Sequence, residues 1–253
     1  SSNGIEFSLW GKIISKRDWE WTLSVNGLHT STKINNISDA LKRMNEANGS
    51  QTYSSSPLVQ FREGESPTAI YAVRSAGIDP ASGMEIFIKK DGSYTYTYDA
   101  ADQVACGDAN PALQGSISSL LRWRRLSMTV NFSYRFGGDL YNSTRAAKVE
   151  NINPRYNADV RAFTGRWKQP GDVVPYLNIS TSDRFVENDN ELWLSSMQFT
   201  YDMTSTLLQK LHLQKMYVSL GLSDLFRLTT AKYERGTSYP YSRSVNASVS
   251  VTF

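Results

Sequence analysis

The sequence has one cysteine, Cys106, and two histidines, His29 and His212, in 253 residues. A lone thiol excludes a disulfide framework and a thiolate metal cluster, and it reads as a small loop residue. The two histidines fall at a strand end and in a link, so no Ser/His/Asp arrangement is visible and an enzyme is not expected. No apolar run approaches the 18 or so residues of a membrane helix, which excludes a helical membrane protein. Neither sign of charge dominates. The net charge of +3 is spread along the chain, without the basic face that a nucleic-acid partner would need. No cofactor or metal motif is present. No leader opens the chain, since Ser1 to Gly4 run directly into a strand pattern, and this predicts a processed chain or a piece of a longer one.

What the sequence has is alternation. At the end of the chain Val245, Ala247, Val249, Val251 and Phe253 alternate with Asn246, Ser248, Ser250 and Thr252. Leu126, Met128, Val130, Phe132, Tyr134 and Phe136 alternate with Ser127, Thr129, Asn131, Ser133 and Arg135. The same period of two runs through 5–15, 19–32, 112–123, 191–203 and 215–226, and it is the period of strands, not helices. Alternating segments of about 9 to 11 residues suit a tilted strand that crosses a bilayer with one face in lipid and the other toward a wet or plugged interior. Only alternate residues then touch lipid, which reconciles a membrane protein with a negative mean hydropathy. Aromatic residues make up 12% of the chain, and their Trp and Tyr members near strand ends suit the headgroup level.

The links alternate between short and long. Lys16-Arg17-Asp18 and Arg124-Arg125 are tight turns, whereas 33–111 and 143–188 are long excursions that read mainly as extracellular loops. In the first excursion Ser38 and Asp39 precede a short helical pattern of Ile37, Leu41 and Met44. A strand-like stretch follows at 68–74, then a hairpin with 84–89 and 93–98 flanking Asp91-Gly92. Outer-membrane barrels keep short turns on the periplasmic side and long loops outside, so the first strand runs inward and Phe253 ends inside. The count is seven crossings, or nine if the first excursion adds two. Both are odd, whereas single-chain bacterial barrels are even. The predicted fold class is therefore all-β, a transmembrane antiparallel β-barrel segment with long extracellular loops, and residues 1–253 are the C-terminal part of a larger barrel.

Seven short motifs occur in an order that resembles a known family. They are Asn3-Gly4-Ile5-Glu6-Phe7, Arg62-Glu63-Gly64-Glu65, Gly77 to Gly83, Gly107-Asp108-Ala109-Asn110-Pro111, Tyr134 through Gly137 to Asn142, Asp183 to Asn188, and Tyr239-Pro240 to Phe253. Together they look like the C-terminal part of the SusC/RagA-type TonB-dependent transporters of Bacteroidetes. That resemblance implies a bacterial outer-membrane barrel of about 22 strands with a plugged lumen. It also implies energy from TonB, a SusD-like surface lipoprotein as lid, and a glycan or peptide cargo. The chain departs from the family by lacking the plug domain, the TonB box and the earlier strands, so its first partner is the rest of the same barrel. Phe253 looks like the signal read by the barrel-assembly machinery.

Candidate contacts with substrate or lid lie in the second excursion. Arg155, Tyr156, Arg161, Arg166 and Trp167, with Lys168, combine cations with aromatic faces that stack on sugars or peptide side chains and hold carboxylates. The bland alternative is a solvated loop packed on its own aromatics. Asp139 and Tyr141, at the outer end of a strand, are candidates to point into the lumen. The acid pairs Asp99 with Asp102 and Asp79 with Asp91 read first as solvated turn residues, with a general acid/base or calcium pair as the alternative. Two other functions fit the alternation: a passive porin or structural barrel segment, and a soluble lectin-like β-sandwich.

Overall fold

The computed structural model describes residues 1–49, 57–150, 152, 155, 159–163, 182–232 and 242–253. Among the described residues fifteen strands and two α-helices follow one another, joined by short 3-10 and π turns. They begin with β1 (Ser2–Ser15), β2 (Trp19–Thr32) and α1 (Asp39–Gly49). The first excursion continues with β3 (Ala69–Ala72), β4 (Arg74–Ile78), β5 (Glu85–Ile88), β6 (Tyr94–Thr95) and β7 (Val104–Asp108). Then come β8 (Leu113–Trp123), β9 (Leu126–Phe136), β10 (Asp139–Tyr141), β11 (Val186–Asn188) and β12 (Glu191–Asp202). The chain closes with α2 (Ser205–Lys210), β13 (Lys215–Ser223), β14 (Arg227–Thr229) and β15 (Ser244–Thr252).

Seven long strands lie side by side in the order β1-β2-β8-β9-β12-β13-β15, every pair antiparallel, with β14 beside β12. Sequence neighbours are spatial neighbours because tight turns close two of the hairpins. Lys16 N donates to Trp19 O (2.8 Å) and Trp19 N to Lys16 O (3.2 Å). Arg124 takes the left-handed φ of +53° that a two-residue hairpin turn demands, and its N–H is held by Asp18 O at 2.9 Å. Among the described residues β1 pairs only with β2 and β15 only with β13, so the sheet has two open edges and does not close on itself.

The two excursions fold away from this wall. β3 pairs with β7, β4-β5-β6 form a three-stranded sheet, and β10 pairs with β11; none of these joins the wall. Among the described residues the first excursion therefore adds no wall strand, which leaves seven. The stretch read as one strand over 68–74 is divided between two sheets, β3 and β4. The expected hairpin is shorter than its pattern, because Gly92 turns at a φ of +87° and the Thr95 hydroxyl accepts from Thr97 N, ending β6. The strand predicted over 215–226 is interrupted. Asp224, at a φ of +54°, separates β13 from β14, opposite a register shift between Leu194 and Ser196 in β12. Leu194 N to Phe226 O (3.1 Å) bridges the gap.

Among the described residues most buried apolar side chains lie in the excursions, with Val130, Tyr134 and Leu194 buried in the wall. Tyr71, Ala72 and Val73 from the first meet Ser182 and Phe185 from the second, through a parallel bridge between Val73 and Ser182 and a bond from Asp183 N to Val73 O. The two excursions form one platform above the loop end of the wall. Cys106 belongs to β7 and not to a loop; burial pushes its thiol up to about 11, so it is an inert packing residue.

Candidate functional site

Register turns the alternation of each strand into two continuous faces. Cross-strand pairing aligns Ile14, Trp21, Leu121, Met128, Phe199, Leu220 and Ala247 in a single row, one residue from each long strand. Two residues along, Leu23, Ser119, Val130, Met197, Leu222 and Val245 form another. In a sandwich such rows would be sealed by a second layer. Here the inner-strand residues Leu220, Phe136 and Leu126 are 41%, 41% and 38% exposed and the edge residues Ile5 and Leu9 71% and 65%, while Val130, Tyr134 and Leu194 are buried, so much of the apolar surface is open.

That face has few polar groups. Trp21 Nε1 donates to Ser119 Oγ at 2.9 Å, which satisfies the indole N–H. Internal satisfaction of this kind is required where no water reaches. Gly27 and Gly115 are direct cross-strand partners, flanked by Phe7 and Tyr134 in the same row. A Cβ on Gly27 would sit 2.3 Å from the Phe7 ring, and one on Gly115 would sit 2.0 Å from the Asn26 carbonyl and 2.7 Å from the Tyr134 hydroxyl. The two aromatic side chains thus take the room that the glycines leave.

The opposite face is small and polar. Hydroxyl and amide ladders cross it: Asn26 Nδ2 to Ser116 Oγ (2.8 Å), Asn131 Nδ2 to Ser196 Oγ (2.9 Å) and Ser219 Oγ to Ser248 Oγ (2.7 Å). At its loop end, Arg135 pairs with buried Asp189, and Arg227 pairs with buried Glu191 (3.1 Å) while lying over Trp193 at 5.0 Å.

The platform is joined by a second charge network. Arg184 reaches Glu85 (3.0 Å) from the other excursion and Glu150 (3.4 Å), and Arg145 reaches Glu187 (2.9 Å). Both guanidinium groups lie over the Phe185 ring, at 5.0 and 5.8 Å. A cleft of about 560 Å³ opens beside α1, lined by Asn45, Glu46, Gln60, Arg62, Lys90 and Tyr98.

The residues singled out from sequence separate into several places. Asp139 Oδ2 accepts from Asp108 N at 3.1 Å, tying β10 to the end of β7. Tyr141 packs edge-on against Phe185 (5.8 Å), and burial raises its hydroxyl far above the ordinary value. Both therefore serve the platform's packing. Arg161 is folded onto Asp159 (2.8 Å) and the Lys232 carbonyl (2.6 Å), which fits the bland alternative for that stretch. Arg155 is exposed. Tyr156, Arg166, Trp167 and Lys168 lie outside the described residues. Asp79 and Asp91 cap their own turns through Ser82 and Ser93. Among the described residues no three His, Cys, Asp or Glu side chains gather as a metal site, and no helix is long and apolar enough to cross a membrane. Phe253, 84% exposed, stands at the turn end of the wall.

No family model and no curated protein matches this sequence. Solved structures do. Over its whole length the chain matches 29% of a chain in the structure of the RagAB peptide transporter, at 22% identity and a TM-score of 0.76. The fold is that of part of this transporter's barrel. The RagAB peptide importer in its 'closed-closed' state gives a TM-score of 0.75 at 22% identity, and in its 'open-open' state 0.73 at 20% identity. These matches cover 29% and 28% of the importer chains, so this chain spans less than a third of the length of the structures it matches.

The charge networks around Arg184 and Arg135 escaped sequence reading. Their members are separated by as much as 99 residues, from Glu85 to Arg184, and no local period links them. Only the motif containing Asp183 to Asn188 hinted that this segment mattered.

Proposed function

We propose that this chain is part of the wall and outer platform of an outer-membrane importer of the SusC/RagA type, energised through TonB. The observation that carries this reading is the seven-strand antiparallel wall with one apolar face left uncovered and the other laddered with hydroxyls. An open apolar surface of that extent needs a non-aqueous neighbour, and a bilayer supplies one along every strand. In this reading the tight turns face the periplasm, the platform faces outside, and the polar face looks onto a plug domain in the lumen.

The open edges of β1 and β15 await the remaining strands of a barrel of about 22, the size at which a lumen is plugged. A SusD-like lipoprotein covers the platform, and the likeness to a peptide importer favours peptide cargo over glycan. Arg155, Tyr156, Arg166 and Trp167 are the proposed contacts with cargo or lid; Asp139, Tyr141 and Arg161 act behind them by holding the platform. Phe253 serves as the barrel-assembly signal.

The test is uptake of a labelled oligopeptide mixture by cells that express the whole protein, with and without dissipation of the proton-motive force. Uptake that stops on dissipation is expected. Uptake indifferent to it would indicate a passive porin, and recovery of the protein in the soluble fraction without detergent would refute the membrane reading altogether.

A further inference from the structure

The turn end of the wall is rich in cations that no carboxylate of the described chain neutralises. At the loop end the guanidinium groups of Arg135, Arg145, Arg184 and Arg227 are each held by a carboxylate of the same chain. At the turn end, residues 12–20, 122–125 and 202–215 carry eight Lys and Arg against three Asp and Glu. Lys12 and Arg122 share Glu20 (2.8 and 3.6 Å), and Arg124 meets Asp18 (3.6 Å). Lys16, Arg17, Arg125 and Lys210 form no ion pair with any described residue, and all four are exposed. Their charge has no counterpart within the described chain.

These cations border the apolar face. Trp19 and Trp123 stack at 5.5 Å at this end, with the Arg124 guanidinium 5.9 Å from the Trp123 ring. Leu207 and Leu211 of the α2 link are exposed beside them. The order from wall to rim is thus aliphatic, aromatic, then cationic. It matches the order of a bilayer leaflet: acyl chain, interface, phosphate. Long Lys and Arg stems reach along such a surface to place their charge at headgroup level.

We propose that the turn end of the wall is a binding surface for anionic phospholipid headgroups, with Lys16, Arg17, Arg125 and Lys210 as the phosphate contacts. This rests on the reading of the wall as membrane-spanning. The occupant is a lipid because charge complementarity continues directly from an uncovered apolar face, which a free anion would not use.

The experiment reconstitutes the full-length protein into vesicles and compares spin-labelled phosphatidylglycerol with spin-labelled phosphatidylcholine in the motionally restricted lipid shell. A preference of at least about three-fold for phosphatidylglycerol is expected, since each surface cation attracts an anionic leaflet measurably. The preference should vanish in molar NaCl. It should also vanish in the variant that combines Lys16→Ala, Arg17→Ala, Arg125→Ala and Lys210→Ala, with the β-sheet circular dichroism unchanged. A control with Lys33→Ala and Arg43→Ala, at the other end, should retain it. A restricted shell without headgroup preference, or a preference that survives the quadruple variant, overturns the proposal while leaving the spanning wall intact. Loss of the preference on adding millimolar inorganic phosphate, but not chloride, would reassign the cations to a free anion and overturn it too. Absence of any restricted shell would refute the spanning wall itself.

Discussion

Replacing Leu9 by arginine separates a lipid-facing wall from one that merely looks apolar. Leu9 and Ile5 lie on the same face of β1 and are exposed to a similar degree, 65% and 71%. Counting up from the end of β1 at Ser15, Leu9 lies about 20 Å along the strand and Ile5 about 33 Å. With a tilt of about 40° these become heights of roughly 15 and 25 Å within an apolar band about 25 Å tall. Leu9 is then near the midplane and Ile5 at the far interface. Leu9→Arg should cost about 2 to 4 kcal/mol and Ile5→Arg about 0 to 1 kcal/mol. In water both would be ordinary surface substitutions, within about 0.5 kcal/mol of the parent. The assay is a guanidinium titration of the full-length protein folded in phospholipid vesicles, followed by tryptophan fluorescence. Equal costs at the two positions would refute the assignment of this face to lipid, because exposure alone cannot distinguish them.

Other expectations follow from particular contacts. Trp21→Phe and Ser119→Ala should each destabilise by about 1 kcal/mol, and a double-mutant cycle in the same titration should show that the two losses are not additive, since both remove one hydrogen bond. Gly27→Val should destabilise by at least about 1 to 3 kcal/mol by displacing the Phe7 ring, with partial recovery when Phe7→Ala is added; a cost that persists undiminished would place the strain elsewhere. Glu85→Gln should cost about 3 kcal/mol by leaving the Arg184 guanidinium half-paired inside the platform, seen as faster amide exchange around Val73 and Asp183. Burial raises the carboxyl of Asp183 above its ordinary value, so the fold favours its protonated form. Its contribution therefore declines as pH rises from the ordinary carboxylate range through the raised value, and exchange at the Val73–Asp183 junction should slow on acidification into that window. Asp183→Asn should remove that dependence while keeping the acceptor for Ser75 N, now at 2.9 Å.

Pattern and register divide the information about this protein. The alternation from Leu126 to Phe136 and from Val245 to Phe253 is local, because successive side chains of a strand point to opposite faces. It was enough to define seven wall strands, their antiparallel order and the short turns that join them. The helix behind Ser38 was legible for the same reason: its cap is three residues from the N–H of Leu41 that it receives. Sequence left open whether the first excursion adds two strands. The answer depends on Val73 meeting Ser182 and Arg184 meeting Glu85, contacts across about a hundred residues that no period encodes.

The sequence by itself determined that each strand has an apolar and a polar side, since that follows from the order of residues and the pleat. Only the tertiary structure decided that these sides merge into two unbroken surfaces, with the apolar one uncovered. It also decided that Asp139 meets Asp108, Tyr141 meets Phe185 and Arg161 meets Asp159 and Lys232. Such contacts depend on which distant side chain arrives opposite each residue, and chain order carries no record of that until register and packing are set.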